Sequence, residues 1–226
     1  MNNYKRASIV ILTVFISSVA FSQTLNWNNL KKNQKHIIHA SAGVDYGVNF
    51  GAGYSYQLRS KWPLLLGVEY SFPSGNDLID DFKTKVGGQI RFAKLNNFHF
   101  SARVEGVFRR YNNPEAVRLL NFGSDFGVAI GYYRTKWFVA GETGFDKAII
   151  THFKHAGAVK ESFPSVQDGW FEPSTGGNFN YGIQAGYSFG NSDISLKAGR
   201  LLSQDFQTKP FVPFYMKVGY NLRLAN

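Results

Sequence analysis

The stretch "HASAGVDYGVNFGAGYSYQL", residues 39–58, alternates without a fault. Ala40, Ala42, Val44, Tyr46, Val48, Phe50, Ala52, Tyr54, Tyr56 and Leu58 share one parity, while the other holds only His, Ser, Gly, Asp, Asn and Gln. Side chains of a strand point to opposite faces every second residue, so this is one apolar and one polar face of extended chain. The run is also too long for one strand, since a membrane-crossing strand needs about 9 to 11 residues. A hairpin hidden inside it resolves the excess. A two-residue loop reverses parity and a three-residue loop keeps it, and Tyr46-Gly47-Val48 has the glycine such a turn favours.

The same alternation recurs down the chain. Leu64–Phe72, Phe82–Phe92, Phe98–Phe108, Phe122–Tyr132, Trp137–Phe145, Phe179–Phe189, a shorter piece at Ile194–Ala198 and Phe214–Leu224 each set an apolar parity against a polar or glycine one. Tight turns at 59–62, 94–97, 134–136 and 190–193 alternate with longer polar connections at 73–81, 111–120, 148–177 and 202–213. Short turns on one side and long loops on the other are the asymmetry of an outer-membrane barrel. The polar face separates this reading from a soluble sandwich, because it mixes glycine with Glu69, Lys85, Arg91, Arg103, Glu105, Arg109, Asp125 and Glu142. Such a set suits a narrow lumen packed with paired charge. Aromatics near strand ends, among them Tyr54, Tyr70, Phe72, Phe98, Tyr132, Trp137, Tyr187 and Tyr220, suit interface girdles.

The ends and the composition agree. Lys5 and Arg6 precede an uncharged apolar run from Ala7 to Ala20, and Ala20-Phe21-Ser22 offers small residues for a signal peptidase. The run is too short for a transmembrane helix. The expected organisation is a signal peptide at 1–22, a periplasmic segment at 23–35 and a barrel at 36–226. No cysteine is present, which excludes disulfides and a lipid-modified cysteine anchor. The net charge is +10, from 25 basic and 15 acidic residues. These charges are scattered over strands rather than clustered, so an anionic lipid surface is the expected partner and nucleic acid is not.

Signal peptide, alternating strands, aromatic strand ends and the last strand "FVPFYMKVGYNLRLAN" resemble the small outer-membrane β-barrel proteins of Gram-negative bacteria. The likeness is one of pattern over the whole mature chain. It implies a single closed antiparallel transmembrane β-barrel, and a terminal residue for insertion, usually aromatic, for which Tyr220 or Leu222 would have to serve, since the chain ends Leu224-Ala225-Asn226. Strand starts near 36, 49, 63, 82, 98, 120, 136, 178, 193 and 213 predict ten strands. Eight is the alternative, if the first segment or the Ile194 piece is not part of the wall.

The segment 148–177 holds the most specific-looking residues: His152, His155, Asp168 and Trp170. Imidazoles with carboxylates can hold a metal, but two histidines three apart, with no third ligand set by spacing, do not define a site. An exposed tryptophan in a loop suits a surface ligand or envelope partner. A rim enzyme would need a nucleophile beside a histidine, and His152 with Ser162 or His99 with Ser101 lacks any third member at a diagnostic spacing. The expected function is therefore a structural or surface-binding one through the 148–177 loop, without cofactor or catalysis. A narrow, porin-like channel is the second reading, and a lipid-modifying enzyme the third.

Overall fold

A computed structural model describes residues 24–44, 47–74, 81–173, 177–208, 210 and 212–225. The expected signal peptide, and Tyr46 of the expected hairpin loop, lie outside these. The strands are β1 (His36–Val44), β2 (Val48–Leu58), β3 (Leu64–Pro73), β4 (Phe82–Leu95), β5 (Phe98–Asn113), β6 (Val117–Tyr133), β7 (Trp137–His155), β8 (Gly169–Phe171), β9 (Gly177–Phe189), β10 (Ser192–Ser203) and β11 (Phe214–Leu224). One short helix, α1 (Gly157–Ser162), precedes β8.

Every neighbouring pair is antiparallel, and β1 pairs with β11 from His36↔Leu224 to Val44↔Met216, so the sheet closes on itself. Ten strands form the wall. β8 adds only three residues to the outer end of β7, through Thr151↔Phe171, His152↔Trp170 and Phe153↔Gly169. The stretch 39–58 is indeed a hairpin. Val44 pairs with Val48, so the strands are joined through three residues, starting one residue earlier than the sequence suggested, and a three-residue connection preserves parity as required.

The apolar parity faces outward throughout. Ile38, Phe50, Leu66, Val86, Val104, Ile130, Ile183 and Met216 are all exposed. An apolar surface this continuous around a chain is unsuited to water and suited to lipid, where a closed sheet leaves no backbone group unpaired. Two aromatic rows bound it. At the outer end ring contacts run Phe50–Phe72, Phe72–Tyr70, Tyr70–Phe82, Phe82–Phe108, Phe108–Phe122 and Phe122–Trp170, at centroid separations of 4.9 to 6.2 Å. At the inner end Phe98, Tyr132 and Trp137 form a second row.

Two connections differ from expectation. Residues 111–120 are not a loop: β5 and β6 continue to Asn113↔Val117 and turn at 114–116. Residues 148–155 likewise continue β7, after a bulge at Ile149 that separates Phe122↔Ile150 from Gly123↔Ala148. The bulge's extra residue interrupts the periodicity, so a strand reads as a loop in sequence. β5, β6 and β7 are consequently 16, 17 and 19 residues long, against 9 to 11 for β1, β2, β3 and β11. At about 3.3 Å per residue the extra length stands some 20 Å along the strands beyond the rest of the wall, as a tongue at the outer rim.

Candidate functional site

Along the lumen the inward parity brings charges from different strands together. Lys85 donates to Asp125 (2.5 Å) and Glu105 (3.3 Å), and Arg103 donates to the other Asp125 oxygen at 3.4 Å. Lys197 meets Glu142 at 2.7 Å, and the Tyr215 hydroxyl donates to the same carboxylate at 2.8 Å. Lys217 meets Glu69 at 3.0 Å, with the His39 ring 3.3 Å from its second oxygen. Arg109 donates to both Asp146 oxygens (2.6 and 2.5 Å) and to Asn121 (2.7 Å). Five cations thus face five carboxylates: Lys85, Arg103, Arg109, Lys197 and Lys217 against Glu69, Glu105, Asp125, Glu142 and Asp146. Burial of that many charges is tolerable only with such mutual compensation.

Of the lumen charges expected from sequence, Glu69, Lys85, Arg103, Glu105, Arg109, Asp125 and Glu142 lie in these networks, and Arg91 sits apart near the inner mouth, donating to the Trp27 carbonyl at 3.2 Å. Lys197, Lys217 and Tyr215 complete the pairs. Lys197 and Lys217 occupy the inward parity of β10 and β11, so strand parity marks them, although which acid each meets depends on how the barrel closes. Small residues make room for the large ones. A Cβ on Gly127 would lie 2.5 Å from the Arg103 guanidinium carbon, so the arginine packs flat over bare backbone. Voids of about 30 Å³ remain beside Glu69, one towards Lys85 and Glu105 and another towards Lys197 and Lys217, each room for about one water.

The inner mouth is sealed by the chain's own N-terminal segment. Leu25 and Trp27, each 2% exposed, enter the turn end of the barrel and pack with Ile37, Leu65, Tyr133, Phe138 and Ala140. Polar groups hold the segment in register. Asn26 donates to the Arg134 carbonyl (2.9 Å) and the Ser188 hydroxyl (2.8 Å), and Asn221 donates to the Thr24 carbonyl (2.7 Å). Arg223 donates to Asp193 at 2.6 Å beside them. The inward face therefore changes character at its inner end, from charged to apolar and aromatic, where Phe138 stacks on Tyr133 at 5.2 Å. Isolated positions such as Leu65 and Phe138 break the polar parity in sequence, a signal that something apolar fills that end.

On the tongue, His152 and His155 are separated rather than joined. Three residues apart on a strand they fall on opposite faces. His152 lies outward with its ring edge against Trp170 at 4.9 Å. His155 turns to Asp168, whose carboxylate accepts from the His155 backbone N–H (2.9 Å), lies 3.0 Å from its ring and accepts from Lys160 (2.5 Å). The His155 N–H, then the Lys160 ammonium and the His155 ring, hold the Asp168 carboxyl well below the usual carboxylate range. This ties α1 and the approach to β8 back onto β7. Among the described residues no three His, Cys, Asp or Glu side chains gather as metal ligands. His99 and Ser101 do not assemble either: among the described residues neither ring nitrogen of His99 has a hydrogen-bond partner, and its ring stacks on Tyr133 at 4.9 Å.

A closed antiparallel barrel with an apolar exterior, aromatic rows at both ends and a charged interior defines a small outer-membrane β-barrel. No protein-family model matches the chain, and no curated protein matches it. Among solved structures it is similar to the KdgM porin, alone and in complex with disordered oligogalacturonate. Both align at TM-score 0.42 and 10% identity, over 83% of this chain and 99% of the porin. It is also similar to the outer membrane enzyme PagL, at TM-score 0.37 and 12% identity over 83% and 99% of the two chains. The shared feature is the barrel.

Proposed function

We propose that this chain is a closed barrel that works by binding at the outer face of the membrane, through the tongue of β5, β6 and β7 and its edge strand β8, and that it is neither a channel nor an enzyme. The double obstruction of the lumen carries this reading: compensated ion pairs fill its length, and Leu25 and Trp27 stop its inner mouth. With the interior committed to structure, the groups left to meet a ligand from outside the membrane are on the tongue. There Trp170 (51% exposed) and Phe171 (43% exposed) stand on an edge strand fixed by backbone pairing to β7 and by the Asp168 contacts. Export depends, in this proposal, on cleavage after Ser22.

The test combines conductance with capture. The full mature chain in planar bilayers should pass no steady current, and a photo-crosslinker replacing Phe171 on intact cells should yield a discrete adduct that is lost with Trp170→Ala. A steady conductance that changes selectivity on charge reversal at Arg103 or Glu105 would establish a channel instead. Turnover of a lipid abolished by His152→Ala would establish an enzyme.

A further inference from the structure

The outward face of the wall carries one charge between its two aromatic rows among the described residues. Reading the lipid-facing parity of each strand, His36 to Val44, Val48 to Leu58, Leu64 to Phe72, Phe82 to Ile90, Phe98 to Phe108, Phe122 to Tyr132, Trp137 to Phe145, Phe179 to Phe189, Ile194 to Leu202 and Phe214 to Leu224, the exception is Arg200. It pairs in register with Tyr181 on β9 and Phe214 on β11. That is one outward layer below the Phe145–Phe179–Phe206 contacts of the outer aromatic row. No ion pair or side-chain hydrogen bond engages its guanidinium among the described residues. A lipid-facing arginine is costly in proportion to its depth, so its place just inside the outer interface favours a counter-charge, which none of the described residues supplies.

Directly beneath it the outer surface of the wall is depressed. A groove of about 590 Å³ runs down the outside of β6, β7, β9 and β10, with Arg200 and Tyr181 at its upper end and Val128, Gly141, Ile183 and Ala198 along it. It exists because outward positions that elsewhere hold large side chains hold glycine and alanine here. A Cβ on Gly141 would meet nothing within 4 Å, so no packing demand within the barrel accounts for the glycine. The Tyr181 side chain is exposed beside the arginine, and its hydroxyl can donate to the same anion.

We infer that this face binds a phosphorylated lipid of the outer leaflet, with one acyl chain lying in the groove and a phosphate oxygen accepting from Arg200 and Tyr181. Arginine's planar fork matches phosphate geometry, and the apolar channel below sets the chain's direction, so the two halves of one amphiphile meet two halves of one site. The inference is independent of what the tongue binds and of whether the lumen conducts.

Native mass spectrometry of the full mature chain, released from detergent micelles, tests it with three probes: bisphosphorylated lipid A, the same lipid dephosphorylated, and inorganic phosphate. The wild type should retain one lipid A per chain and hold the dephosphorylated form about tenfold less tightly, the worth of a charge-assisted hydrogen bond. Arg200→Gln should lose about the same factor. Gly141→Leu, which fills the groove without touching the cation, should weaken both lipid forms alike. Lys136→Gln, at an inner turn, should change nothing. Heat-modifiable gel mobility verifies that each variant is folded. Equal retention of lipid A by Arg200→Gln, equal retention of the dephosphorylated lipid, no retained lipid at all, or displacement by millimolar inorganic phosphate would each overturn the inference.

Discussion

Asp125 is the keystone of the lumen, and Asp125→Asn measures how much the ion pairs contribute. The side chain is fully buried, 2.5 Å from the Lys85 ammonium and 3.4 Å from Arg103. Asparagine keeps its size but removes the charge both cations face. Lys85 would then be left with Glu105 at 3.3 Å, and Arg103 without a direct carboxylate among the described residues. Removing one partner of a buried pair costs about 3 to 5 kcal/mol, far more than the pair adds over an apolar replacement, because the cost is the stranded charge. The assay is urea unfolding in detergent or lipid vesicles, followed by tryptophan fluorescence and by heat-modifiable mobility. Lys85→Gln on top of Asp125→Asn restores the balance of this network, so the two changes together should cost less than their sum by about 1.5 kcal/mol or more. A loss below about 1 kcal/mol for Asp125→Asn, or strict additivity with Lys85→Gln, would refute the view that these charges are buried and mutually dependent.

Trp27→Ala should unseat the inner plug at a cost of roughly 3 to 5 kcal/mol, the usual range for deleting a buried tryptophan. Residues 24–33 should become cleavable by protease from the turn side while conductance stays negligible, because the ion pairs still fill the lumen above. Continued protection would refute the plug. The Asp168 latch should depend on pH with a definite sign. Its folded pKa lies below the unfolded value near 3.9, so its contribution is complete at neutral pH and is lost as pH falls below about 4 towards the folded pKa. Amide hydrogen exchange over residues 156–168 should therefore be flat between pH 8 and pH 5, after correction for intrinsic rates, and should quicken only in strong acid. Asp168→Asn should bring the faster exchange to neutral pH.

The wall was legible because its code is local. The inside-outside alternation at Leu64–Phe72 or Phe214–Leu224 depends only on side chains of one strand meeting two different media, so reading one strand at a time recovers ten starts to within three residues. It also places Glu69, Lys85, Arg103, Asp125 and Glu142 on the inward face. Where the local code is interrupted, the reading stops short: the bulge at Ile149 disguised the top of β7 as a loop, and the piece ending at Ala198 stopped two residues before Arg200. What parity cannot carry is which side chains meet across the lumen. Lys197 reaches Glu142, and Lys217 reaches Glu69, across 55 and 148 residues of chain, because closure through β1–β11 sets the register of the whole barrel at once. The same closure creates the apolar inner mouth that Leu25 and Trp27 fill, sends His152 and His155 to opposite faces, and brings Gly141, Ile183 and Ala198 from three strands into one groove beneath Arg200. Sequence by itself determined the medium each face meets, since that is a property of each residue and its neighbours two away. Only the tertiary structure decided the partners, since those follow from the stagger with which ten strands close.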